Sequence, residues 1–213
     1  MAQPVDLVLV LVLLANFLIL GTGWMRVCIR AAAFQGVLLS LLPLLSPGEM
    51  VWRVIVMAAG AAIVKGILIP SLLVKAMRDV HIRHEVEPYV GFIPSLFLCA
   101  LGTGFAILFS GRLPLAAEHV GTLLVPAALS TLLSGFLVLI TRKFAITQVV
   151  GYLVLENGIF VFGLLLIEAM PFMVEVGVLL DLFVGIFIMG IVLNHIQREF
   201  SAPEIELLAD EEE

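Results

Sequence analysis

The chain has 213 residues, of which 62% are hydrophobic and only 13% charged, and its mean hydropathy is +1.20, well above that of a soluble globular domain. The formal net charge of −6 is acidic, with Glu206, Asp210, Glu211, Glu212 and Glu213 crowded at the end of the chain, so nucleic-acid binding finds no support. Cys28 and Cys99 are too few and too far apart for a disulfide framework or an iron–sulfur ligand set. A soluble enzyme is excluded, and what remains is a single-domain membrane protein.

Apolar runs long enough for a ~30 Å hydrocarbon core predict spans over residues 5–25, 29–45, 51–74, 89–110, 120–140, 145–167 and 172–196. The second is the shortest. The runs are continuously apolar, without the alternation of barrel strands, so the expected fold class is all-α: a polytopic transmembrane helix bundle of about seven helices. Residues 1–6 lack a basic leader, so the first span is expected to stay in the membrane. The domain reading is residues 1–200 in the membrane (1–118 an N-terminal group of helices, 119–198 a C-terminal group of three) and 201–213 an acidic tail. Helices one to three and five to seven share a topology, a weak hint of duplication.

Basic residues are retained on the cytoplasmic side. Alternate breaks hold Arg26, Arg30, Lys75, Arg78, Arg83, Arg142, Lys143 and Arg198, while the opposite breaks hold only Arg53 and Arg112. Eight against two predicts the N-terminus outside and the C-terminus in the cytoplasm. Pro43, Pro70, Pro94 and Pro126 fall in or near spans, where each removes a backbone donor and can bend the helix.

Charged groups at mid-membrane are costly, so each asks for a reason. Glu156 lies about 16 Å into the sixth span and Asp181 about 14 Å into the seventh from the opposite side, so both reach mid-depth on spans joined by a tight turn. Lys65, in the third span, either snorkels to water along its stem or pairs with a buried carboxylate. For Glu156 and Asp181 one reading is a neutral carboxyl acting as interhelical glue. The other is a proton relay: low dielectric favours the neutral carboxyl, and water access lets it take and give protons. Glu49, Glu168, Glu175 and Asp6 sit near span ends, where solvation accounts for them. In KAMRDVHIRHEVEP, the loop from Lys75 to Pro88, His81, His84 and Glu85 lack the spacing of a known metal site, and the stretch reads as a surface for a neighbouring subunit or a polar turn. No phosphate loop, nucleophile triad or zinc signature is legible, so no active site is expected in this chain.

From Val120 onward, a helix, a basic turn with Arg142 and Lys143, a helix with central Glu156 in GYLVLENG and a helix with Asp181 in LLDLFVG resemble the small three-helix complex I subunit NuoK and its antiporter relative MrpC. Asp181 stands where that family carries Glu. The whole chain, with its extra preceding helices, is similar to component E of hydrogenase-4-type complexes, most specifically over residues 144–195. The resemblance implies a membrane-arm subunit of a formate hydrogenlyase or group 4 nickel–iron hydrogenase assembly in a bacterial or archaeal cytoplasmic membrane. Glu156, Asp181 and Lys65 would serve proton or sodium movement. It places the nickel–iron centre and iron–sulfur clusters in partner subunits, with no cofactor in this chain. The partners it implies are lipid, larger antiporter-like membrane subunits and peripheral redox subunits. A structural spacer without an ion path, or a subunit of a multi-component cation/proton antiporter, is the alternative.

Overall fold

A computed structural model of the chain describes residues 4–45, 52–79, 88–113 and 122–165. Its elements are all helical: α1 (Pro4–Gly21), α2 (Met25–Ser40), α3 (Leu42–Leu45), α4 (Trp52–Ile63), a π-helical turn (Val64–Leu68), α5 (Ile69–Asp79), α6 (Phe92–Ser110), α7 (Leu124–Thr141) and α8 (Ala145–Leu164). Among the described residues six spans are long and apolar enough to cross a membrane, α2–α3 forming one (Met25–Leu45) and α4–α5 another (Val54–Arg78). The molecule is therefore a multi-pass membrane helix bundle. The predicted span over 172–196, Asp181 within it, the acidic tail and most of the 75–88 loop lie outside the described residues.

Span ends fall within four residues of the sequence reading: the first stops at Gly21, and the third, fourth and fifth start at Val54, Phe92 and Leu124. Two ends extend four residues beyond the predicted boundary, for one reason. The second span begins at Met25 and the third continues through Arg78, because Arg26, Arg30, Lys75 and Arg78 are helical residues at the same end of the bundle. Long basic side chains keep their stems on the helix and their heads outward, so a hydropathy drop at Arg or Lys does not mark where the helix stops.

The prolines divide into two kinds. Pro94 and Pro126 fall in the first turns of α6 and α7, where a missing N–H costs nothing. Pro70 sits inside a continuous span, and the turn before it widens to π geometry, with the Ile69 N–H bonded to the Val64 carbonyl. Pro70 can neither donate to the carbonyl four residues back nor accommodate it sterically, and widening the turn relieves that conflict. Lys65 lies in this widened turn.

Helices α7 and α8 pack closest. A side chain at Gly135 would meet the Leu155 backbone N at 2.5 Å, one at Gly158 the Leu132 N at 2.7 Å, and one at Gly151 the Leu139 N at 3.0 Å. Small residues let backbones approach in the absence of a hydrophobic drive between helices. Gly151 and Gly158 flank Glu156 in sequence, so this contact fixes where Glu156 faces.

The buried apolar side chains fall into two clusters along the bundle axis. One gathers Ile19, Leu20, Met25, Ile29, Leu73, Met77, Val150 and Val154 at the end that carries Arg26, Arg30, Arg78 and Lys143. The other gathers Val8, Leu9, Leu39, Leu42, Ala128, Val161 and Leu164 at the opposite end. On α1, α2, α7 and α8 alike, buried polar side chains lie between the clusters: Asn16, Gln35, Thr131, and Glu156 with Asn157.

A candidate proton site in a buried polar layer

Glu156 and Lys65 meet in this layer. Lys65 Nζ lies 2.6 Å from Glu156 Oε1, and the two side chains are 11% and 2% exposed. Of the two readings of Lys65, the structure shows the buried pair and not the snorkelled ammonium. Its ammonium also donates to Asn157 Oδ1 at 3.1 Å and lies 5.7 Å from the centre of the Phe160 ring, close enough for a cation–π contact. Room for Lys65 comes from Gly36 on α2, where any side chain would stand 2.9 Å from Lys65 Cβ.

From Asn157 the contacts continue across the bundle. Asn157 Nδ2 donates to Gln35 Oε1 at 3.2 Å, Gln35 Nε2 to Asn16 Oδ1 at 2.9 Å and to the Val12 carbonyl at 3.3 Å, and Asn16 Nδ2 to Thr131 Oγ1 at 3.0 Å. Asn16, Gln35, Thr131, Glu156 and Asn157 are each at most 2% exposed. The layer thus joins α8, the π turn, α2, α1 and α7 through side chains alone, and buried polar groups this expensive to leave unpaired are here paired in sequence. Glu156 Oε2 is the exception, with no hydrogen-bond partner among the described residues.

Beside Lys65 and Asn157 a narrow cleft runs between α2, α5 and α8, lined by Ile29, Ala32, Ala33, Ile69, Leu73 and Leu153. Its volume of about 10 Å³ is of the order of a single water. These lining residues lie on the basic-end side of Lys65 in every helix that supplies them.

At that end Arg142, which the sequence places in a basic turn, is 1% exposed. Its Nη2 donates to the Leu20 carbonyl at 2.6 Å, and its guanidinium carbon lies 4.5 Å from the centre of the Phe92 ring, a cation–π contact. A carbonyl left over at the end of α1 suits such a donor. With the Tyr89 N–H on the Thr141 carbonyl at 2.8 Å, Arg142 gathers the ends of α1, α6 and α7, which holds the polar layer's helices in register.

Sequence reasoning singled out Glu156 and Lys65, which the structure brings together; Asp181 lies outside the described residues. It passed over Asn16, Gln35, Thr131 and Asn157. The available signal was the isolated amide in an otherwise apolar span, in LLANFL and AAFQGV, since an amide in hydrocarbon needs a partner on another helix.

The chain is similar to several known proteins. It is 29% identical over 200 residues to an uncharacterized protein of Mycobacterium tuberculosis, covering 92% of this chain and 90% of that one. It is 25% identical over 162 residues to Hydrogenase-4 component E of Escherichia coli, covering 73% of this chain and 72% of the relative. The Hydrogenase-4 component E of Shigella flexneri matches to the same extent. No family model matches, and no solved structure does.

Proposed function

We propose that this chain is a membrane-arm subunit of a hydrogenase-4-like, complex I-related assembly, and that the Lys65–Glu156 pair takes up and releases protons whose movement is coupled to electron transfer in partner subunits. One observation carries the reading: a lysine and a glutamate in contact at 2.6 Å, between two apolar clusters, in a chain similar to Hydrogenase-4 component E. Scaffolding alone gives little reason for such a pair, since apolar residues of similar volume serve packing as well or better.

The chemistry needs only these groups and water. A proton passing from Lys65 Nζ to Glu156 Oε1 converts an ammonium and a carboxylate into an amine and a carboxylic acid with no net charge moved into hydrocarbon, which keeps the step affordable in low dielectric. A proton delivered from bulk solvent through water in the cleft beside Lys65 reloads the amine, so that one proton enters for each one Glu156 releases. Glu156 Oε2, which has no hydrogen-bond partner among the described residues, passes the proton on, and Asp181, in the span predicted over 172–196, is the proposed next carrier. The excess of basic residues at the cleft end orients that end to the cytoplasm. Nickel–iron and iron–sulfur chemistry belongs to the partners, as do the larger antiporter-like subunits this one would pack against.

The test is Glu156→Gln in sealed vesicles carrying the whole assembly. Proton movement per electron transferred is expected to fall while the complex still assembles. Unchanged proton movement would leave the spacer reading, in which only packing substitutions such as Gly151→Leu disrupt the complex. Retained proton movement in an assembly that purifies without nickel or iron would point to a cation/proton antiporter.

A further inference from the structure

The four hydrogen bonds that lead away from Lys65 all run in one direction. An ammonium has only donors to offer, so Asn157 must turn its carbonyl oxygen towards Lys65 Nζ (3.1 Å). Its amide nitrogen then faces Gln35, which must present oxygen (3.2 Å). The nitrogen of Gln35 faces Asn16 Oδ1 (2.9 Å), and the nitrogen of Asn16 faces Thr131 Oγ1 (3.0 Å). Each carbonyl dipole points its negative end at the cation, and no single amide can be turned without setting nitrogen against nitrogen or oxygen against oxygen. Thr131 ends the chain with a hydroxyl, which can accept or donate.

We propose that Asn16, Gln35 and Thr131 are positioning residues for the Lys65–Glu156 pair: the charge on Lys65 fixes the direction of the amide chain, and the acceptor at its far end in turn favours the charged form of Lys65. The proposal rests on the reading of that pair as a proton site. Coupling of this kind is reciprocal. Polarised chains of hydrogen bonds strengthen one another in low dielectric. When a proton moves from Lys65 Nζ to Glu156 Oε1, the amine left behind carries a lone pair and can accept from Asn157, so the demand on the chain's direction is lifted at that step and reimposed on reloading. The state of Lys65 is thereby felt by Thr131 on α7, four side chains away. Beside it on the same helix, Ser130 shares a hydrogen bond with Thr103 of α6 at 2.7 Å.

Among the described residues the ionic surroundings are simple enough to test this. Glu156 is the titratable group that faces Lys65 from α8. On α2 the residues at the contact are Gly36 and Val37, and its ionisable side chains Arg26, Cys28 and Arg30 lie six to ten residues away, about 9–15 Å along the helix. Lys75, Arg78 and Asp79, on α5, are a similar distance or more from Lys65, and α7 carries no ionisable side chain within its helix.

The experiment is infrared spectroscopy of the purified full chain in lipid nanodiscs, following the protonated-carboxyl band that Glu156→Gln removes, at a pH where both forms of Glu156 are populated. Thr131→Val keeps the shape and removes the acceptor. It is expected to raise the ratio of protonated to ionised Glu156 about fivefold, the equivalent of about 1 kcal/mol for one hydrogen bond, and Thr131→Ser is expected to restore the original ratio. Asn16→Leu, which breaks the chain one step nearer, should move the ratio in the same direction. A ratio unchanged by Thr131→Val, or shifted equally by Thr131→Ser, overturns the inference and leaves the proton-site reading intact. A Glu156 band that shows no titration at any pH in the unaltered protein overturns both.

Discussion

Removing one member of the Lys65–Glu156 pair should cost far more than removing both. Lys65→Met strands a carboxylate that is 2% exposed, and Glu156→Leu strands an ammonium that is 11% exposed. Breaking a buried pair from one side typically costs about 3–5 kcal/mol, whereas replacing both charges with apolar side chains of similar volume is often neutral or stabilising. The stranded group relieves part of the strain by changing its protonation, so the lower bound is the figure to hold the structure to. About 3 kcal/mol corresponds to roughly a hundredfold change in the unfolding equilibrium. Reversible unfolding of the purified chain in mixed micelles, followed by circular dichroism, measures the two single variants and Lys65→Met/Glu156→Leu together. Expected is a large loss for each single substitution and a near-complete recovery in the double, an interaction energy well outside the additivity seen for distant sites. Single losses below about 0.5 kcal/mol that simply add would show that both side chains reach water and that the layer is not buried in the membrane.

Two further substitutions test how the site is positioned. Gly135→Leu drives a side chain into the Leu155 backbone, which stands 2.5 Å from the would-be Cβ, so it should separate α7 from α8 and abolish accumulation of folded protein; Gly60→Ala, where nothing lies within 4 Å, should be neutral or stabilise by about 0.5–1 kcal/mol. Arg142→Lys should lower stability by about 1.5–3 kcal/mol in the same unfolding assay, because a lysine keeps the charge but lacks the guanidinium that both bonds the Leu20 carbonyl and lies over Phe92.

The all-helical, multi-pass fold was legible because it depends only on apolar run length, a constraint that the bilayer imposes on every chain. Glu156 and Lys65 were legible for the same reason inverted: a charge inside such a run stands out. Their partnership was not, because it depends on the π turn before Pro70 rotating Lys65 towards α8 and on Gly36 leaving room for it, both matters of three-dimensional packing. The burial of Arg142 was not legible because it sits at a span end, and only the fold brings the end of α1 and the Phe92 ring against it. The amide chain was passed over because Asn16, Gln35 and Thr131 are uncharged, and a lone polar residue in an apolar span calls for a partner without naming it. Polar residues at the same depth on four helices form a layer only once the register of those helices is known.

If the Lys65–Glu156 pair carries protons as proposed, Glu156 changes its protonation during turnover. Infrared difference spectroscopy of the intact complex, comparing turnover with rest and assigned by Glu156→Gln, reads that change directly. A carboxyl band that appears or vanishes with turnover and is missing in the variant is the predicted result; difference spectra identical in the two proteins would contradict it.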